Sequence, residues 1–147
     1  MKKLIFPIIL FLISSFLLYS VINKVYLIDY NKNEQDKDTY YLLQGTYKIL
    51  DELYIEEQKL WGKNEDSRAA TYTYKYINSN INELSNKLKL RESDLYNLKA
   101  SLVLTNLSNL YQLKDMVGKD QKSFKLKYDI ITKKIKYNLK ELKEMVG

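Results

Sequence analysis

Residues 89–93 read KLRES, and whether the chain bends there decides the fold. Before it, Ala70, Tyr74, Ile77, Ile81, Leu84 and Leu88 recur at the three-four spacing of an amphipathic helix. Beyond it, Leu95, Leu98 and Leu102 carry the same spacing on in register, and neither Gly nor Pro interrupts the stretch. A single helix over 67–117, of about 50 residues, would give an elongated three-helix array. A break at KLRES is signalled instead by Ser93 and Asp94, whose short acceptor side chains suit a helix N-cap, as does Ser67 ahead of the preceding stretch. The break leaves helices of about 23 to 26 residues joined by short loops, which is what an antiparallel up-down-up-down four-helix bundle needs. The expected fold is all-α, an N-terminal transmembrane helix followed by that bundle; the three-helix array is the alternative.

The stretch Leu95–Val117 is apolar on more than one side, through Leu98, Leu102, Val103, Leu107, Leu110, Leu113 and Val117, and is expected to be the most buried. Gly118 suits a C-terminal cap. Asp120 is placed to start a last helix carrying Phe124, Tyr128, Ile131, Ile135, Leu142 and Met145. The first helix of the bundle begins near Thr39 and runs through Tyr40, Leu43, Tyr47, Leu50, Tyr54 and Trp61, with its spacing broken at Glu57, until Gly62. Polar residues interrupt the seams at Thr105, Asn109 and Asn138, positions that fix register when they are buried.

The chain opens MKKLIFPIILFLISSFLLYSVINK, and residues 4–23 carry no charge. Twenty helical residues span about 30 Å, the thickness of a bilayer's hydrocarbon core. A cleavable leader has a shorter apolar region followed by small residues at the cut, and no A-x-A site follows here, so residues 1–23 read as a retained signal anchor. Lys2 and Lys3 precede the span and Lys24 alone follows closely, which places the N-terminus in the cytoplasm and the remainder outside. Tyr19, Tyr26 and Tyr30 cluster at the outer end. Residues 24–38, with the polar run NKNEQDKD at 31–38, read as a juxtamembrane tether, and 39–147 as the extracytoplasmic bundle. A secreted or periplasmic protein is the alternative if the leader is cut after Ser20.

Composition narrows the chemistry. The 147 residues contain neither His nor Cys, which removes the ligands of zinc, haem and iron-sulfur sites, the nucleophile-histidine mechanisms, and disulfides. The densest acidic run, DELYIEE at 51–57, reads as helix rather than as a calcium loop. No carboxylate pair or nucleophile is singled out by its context, so the expectation is no catalytic residue, no metal and no cofactor. Charge is segregated: residues 24–66 hold six Lys and ten Asp plus Glu, a net of minus four, and residues 119–147 hold nine Lys and four acids, a net of plus five. In a bundle the first and last helices are neighbours, so Asp51, Glu52, Glu56 and Glu57 are expected to face the lysines of the last helix, an effect on arrangement more than on stability.

Two sets of residues are candidates for recognition. Tyr40, Tyr47, Tyr54 and Trp61 recur every seven residues and form one aromatic stripe, either part of the core or the lining of a groove for a ligand or partner helix. Tyr72 and Tyr76, in the run TYTYKY at 71–76, are a candidate contact patch. Lys122, Lys125, Lys133, Lys136 and Lys140 form a basic face suited to an anionic partner, or a solvated face paired with the acidic helix and within itself by Asp129–Lys133 and Lys140–Glu144. The expected function is a non-catalytic, membrane-anchored helical interaction module or accessory subunit of a cell-envelope complex, with a protein partner or self-association and no nucleic acid. The alternatives are a sensory domain that binds a small molecule between its helices, and a secreted cationic helical protein.

Overall fold

The computed structural model describes residues 2–61, 68–91 and 94–147, with side chains from residue 15 in the first segment and from residue 70 in the second. The elements are α1 (Lys2–Lys59), α2 (Arg68–Lys89), α3 (Leu95–Gln112), a 3-10 turn (Leu113–Met116) and α4 (Gln121–Val146). The chain is all-α, with no strand among the described residues. It divides into two compact units, Met1–Gln35 and Asp36–Gly147.

In the first unit every side chain from residue 15 to residue 35 is exposed, including eleven large apolar ones between Phe16 and Tyr30. Among the described residues no helix is long and apolar enough to cross a membrane. Side chains 1–14, most of the anchor expected at 1–23, lie outside the described residues. The stretch 24–38 is helical throughout, within α1. The polar side chains of the expected tether are therefore carried on a helix.

The second unit is a helical bundle in which every helix contributes fully buried side chains: Leu43, Leu50 and Tyr54 from α1, Ile77 and Leu84 from α2, Val103, Leu107 and Leu110 from α3, Phe124, Ile135 and Leu142 from α4. The break at KLRES is real, so α2 and α3 are separate helices and the single long helix of the three-helix array is not formed. Asp94 makes the break without help from Gly or Pro. Its backbone is extended (φ −120°, ψ 176°) and its carboxylate accepts from the Asn97 N–H at 2.7 Å, which satisfies one of the amides a helix start leaves open. Arg91 then ties the turn to α1: its guanidinium pairs with Asp36 and lies 5.5 Å from the Tyr96 ring centroid, and the Tyr96 hydroxyl donates to the Asp36 carbonyl at 2.6 Å. Ser67 and Ser93, the other expected caps, and Gly62, the expected stop of α1, lie outside the described residues.

At the other end α3 stops at Gln112, five residues before the expected Val117, and tightens into the 3-10 turn. Two of its last carbonyls, on Leu110 and Tyr111, accept from the buried Tyr54 hydroxyl at 2.7 and 3.0 Å. Gly118 holds a left-handed φ of 76°, and Asp120 caps α4 by accepting from the Ser123 N–H at 3.0 Å. The buried polar positions among the described residues are Thr39, Thr46, Asn80 and Thr132. Asn80 donates to the Thr46 hydroxyl at 3.1 Å and Thr46 to the Leu42 carbonyl at 2.7 Å, a satisfied link between α1 and α2. Thr105 and Asn109 are exposed, so they mark where the seam drifts out to water rather than fixing register.

Tyr47 and Tyr54 make a contrasting pair. The Tyr47 hydroxyl is buried beside Asp51 without reaching good hydrogen-bond geometry, and Asp51 accepts from Tyr128. Equilibrium denaturation of Tyr54→Phe should show a loss of about 0.5 to 1.5 kcal/mol, because a buried hydrogen bond to the end of α3 is removed while the Leu113 N–H still serves the same carbonyls. Tyr47→Phe removes only an unsatisfied group and should leave stability unchanged or raised. Equal losses from both substitutions would contradict this assignment.

Candidate functional site

Helices α1 and α4 enclose a groove of about 270 Å³, lined by Tyr40, Gln44, Tyr47 and Lys48 from the first and Lys136, Leu139, Lys140 and Lys143 from the second. The two sequence patterns meet here. Positions 40, 44, 47 and 48 share one face of α1, and positions 136, 139, 140 and 143 share one face of α4, each by three-four spacing. Tyr40, Tyr47 and Leu139 are buried, while the four lysines are exposed at the rim. Gln44 donates to the Tyr40 hydroxyl at 2.9 Å, which settles the polar end of that ring.

Among the described residues none of the four lysines forms an ion pair. The pairs expected to neutralise the basic helix, Asp129–Lys133 and Lys140–Glu144, do not close, nor do the acids of α1 reach the lysines of α4. Asp51 takes the Tyr128 hydroxyl, and Glu56 pairs with Lys59 of its own helix at 2.6 Å. The interhelical ion pair that α4 does make is Lys99 to Glu141, at 2.6 Å, and it ties α4 to α3. Lys99 holds the Glu141 carboxyl below its ordinary range.

The aromatic stripe of α1 is core. Tyr40, Tyr47 and Tyr54 are buried and Trp61 is half-buried. Tyr54 meets Phe124 edge-on at 5.2 Å and lies 6.2 Å from both Tyr74 and Tyr128; Trp61 meets Phe124 at 5.3 Å. The seven-residue aromatic repeat thus splits, its upper half filling the interior and its lower half, Tyr40 and Tyr47, flooring the groove. Tyr72 and Tyr76 are exposed, at 76% and 55%, clear of the groove. Lys136 and Lys140 line the groove; Lys122, Lys125 and Lys133 do not. Lys48, Gln44 and Leu139 were not singled out from sequence, although Lys48 lies four residues from Gln44 and eight from Tyr40, a spacing that puts it on their face.

A second feature lies on α3, the helix expected to be the most buried, which also carries an exposed side. Its exposed positions 95, 98, 102, 105, 109 and 112 follow a heptad spacing and are Leu, Leu, Leu, Thr, Asn and Gln. The leucines are 60%, 59% and 48% exposed. Lys99, the one charged residue of α3, is engaged with Glu141. Thr105, Asn106 and Ser108 turn back to the carbonyls of Ser101, Leu102 and Leu104, so polar groups along this side are satisfied within the helix.

Among the described residues no cluster of acidic side chains could hold a metal ion. The tyrosines Tyr47, Tyr54, Tyr74, Tyr96 and Tyr128 all have pKa values pushed above the ordinary 10.0, each mainly because burial penalises the phenolate. Comparison with protein-family models, curated proteins and solved structures finds no match to this chain.

The raised tyrosines set a direction for pH. The unfolded chain loses these protons near pH 10 while the folded one retains them, so the stabilising term is complete below pH 10 and declines above it. The Tm should hold from pH 7 to 9 and fall steeply beyond about pH 10. Tyr54→Phe should flatten that fall, and a Tm that rose above pH 10 would contradict the burial of these phenols.

Proposed function

We propose that the chain is a non-catalytic, membrane-anchored helical interaction module, serving as an accessory subunit of a cell-envelope complex, with its N-terminus in the cytoplasm and its bundle outside. The observation that carries the reading is the outward face of α3. A chain with 29% charged residues places three leucines and no charge along it. Leucines at heptad spacing, with neighbouring polar groups satisfied by their own helix, suit the apolar face of a partner's helix. Isolated exposed leucines are ordinary, but an aligned uncharged row is the composition of an interface core.

The anchor is supported by the uncharged run at 4–23 and by the exposed apolar side chains from Phe16 to Tyr30, which have a favourable environment in lipid and none in water. For the bundle, an antiparallel up-down-up-down order accounts for the pairings of Asp36 with Arg91 and Tyr96, Thr46 with Asn80, Asp51 with Tyr128, Tyr54 with Leu110, and Lys99 with Glu141. In that order α1 and α3 run one way, α2 and α4 the other.

The test begins with the native host. The intact mass of the protein in carbonate-washed membranes should be that of the full chain; a product about 20 residues shorter in the soluble exported fraction would remove the anchor. Leu98→Glu combined with Leu102→Glu should abolish co-purification of the membrane partner in detergent while leaving the Tm within a few degrees, since both side chains are exposed. Retention of the partner by that variant would move the interface off α3.

A further inference from the structure

The groove between α1 and α4 has a chemistry that the interaction module does not use. We infer that it is a binding site for a small amphiphilic anion, a phosphate ester or carboxylate whose charged end lies among Lys48, Lys136, Lys140 and Lys143 and whose apolar body rests on Tyr40, Tyr47 and Leu139. Three properties of the groove lead to this ligand.

First, the four ammonium groups converge without a counter-charge. Lys136 and Lys140 are four residues apart and Lys140 and Lys143 three, spacings at which like charges on a helix repel. Lys48 faces them from α1, and no carboxylate lines the groove. Other lysines of α4, such as Lys122, Lys125 and Lys133, are unpaired among the described residues as well, but they lie outside the groove, whereas Lys136, Lys140 and Lys143 line one space together with Lys48 of α1. A bound anion relieves that repulsion, and binding to the folded state then appears as stabilisation.

Second, the floor is apolar. The lysine rim would serve any polyanion lying across the surface, but two buried tyrosine rings and a leucine beneath the rim favour a ligand with a hydrocarbon or aromatic body. The Tyr40 hydroxyl already takes a hydrogen bond from Gln44, which leaves its ring as the contacting surface. Third, size limits the occupant. A volume of about 270 Å³ corresponds to about nine water-sized units at roughly 30 Å³ each. This admits a short-chain phosphate ester or the headgroup end of an anionic lipid, and it excludes a nucleic acid or a folded partner from the groove itself.

The test uses the full chain in neutral-detergent micelles and butyl phosphate as probe, with inorganic phosphate and butanol as the charge-only and apolar-only controls. Butyl phosphate should raise the Tm in a saturable manner and bind at least tenfold more tightly than either control, with affinity falling as salt screens the lysines. The double substitution Lys136→Gln with Lys140→Gln should weaken binding about tenfold or more, while Lys122→Gln with Lys125→Gln, outside the groove, should leave it unchanged. Source is decided by adding phosphatidylglycerol to the micelles. Competition with butyl phosphate assigns the site to a lipid headgroup, and retained binding assigns it to a free anion; either supports the groove. Equal losses from the two lysine pairs, equal binding of inorganic phosphate, or no shift with butyl phosphate would overturn it. Because the partner-binding test reads α3 and this one reads α4, either can fail alone.

Discussion

The bundle is organised around one side chain. Tyr54 is fully buried on α1; its ring contacts aromatic residues of α2 and α4, and its hydroxyl donates to two carbonyls at the end of α3. A helix leaves its last four carbonyls without intrahelical partners, and inside a core water cannot supply them. The Leu113 N–H of the 3-10 turn serves the Leu110 and Tyr111 carbonyls, and Tyr54 adds a second donor to both from α1. It also fixes the relative height of α1 and α3, because a hydroxyl meets two successive carbonyls at hydrogen-bonding distance in one axial register only. Phe124 and Tyr128 then stack on each other beside that ring, which positions the start of α4.

The division of the chain into helices was legible where the signal was local. Asp94 and Asp120 each precede a helix and each accepts from the amide three residues on, so the N-cap rule located both starts. The competing signal at KLRES, an apolar periodicity running unbroken across the turn, failed for a reason outside the local sequence. Arg91 finds Asp36, 55 residues away, and the Tyr96 hydroxyl reaches the same residue's carbonyl. Those contacts exist only if the chain folds back. Periodicity reports which face is apolar; it carries no information on whether two in-register faces belong to one helix or two.

The same limitation applies to α3, expected to be the most buried helix, which also has an exposed side. Leucine on several sides of a helix reads as a central position, yet the core reaches only the side that carries Tyr96, Ala100, Val103, Leu107 and Leu110. The remaining row at 95, 98 and 102 is exposed, with nothing among the described residues covering it. Likewise the segregation of acidic and basic residues correctly brought the two oppositely charged helices together, but not through ion pairs. Asp51 meets a tyrosine, and Lys136, Lys140 and Lys143 of α4 line the groove opposite Lys48 of α1 rather than opposite an acid. Net charge steers helices at a distance; which side chains then touch is settled by packing, and the aromatic residues of α1 occupy the space that ion pairs would need.

A helix surface is normally matched twice, by burial of its apolar side and by mixed charge on the rest. Two departures from that rule stand out among the described residues: an uncharged leucine row on α3 and a groove lined by lysines without an acid. The departures differ in kind. The leucine row lacks a surface to exclude water, which only a second body can provide, whereas the lysine cluster lacks a charge, which a small anion can supply. Stability accounts for neither, since a charged residue at Leu98 or a glutamate at Lys136 would serve the isolated fold at least as well. A sequence that retains both features on different helices, clear of the Tyr54 interior, has separated what holds the bundle together from what the bundle presents.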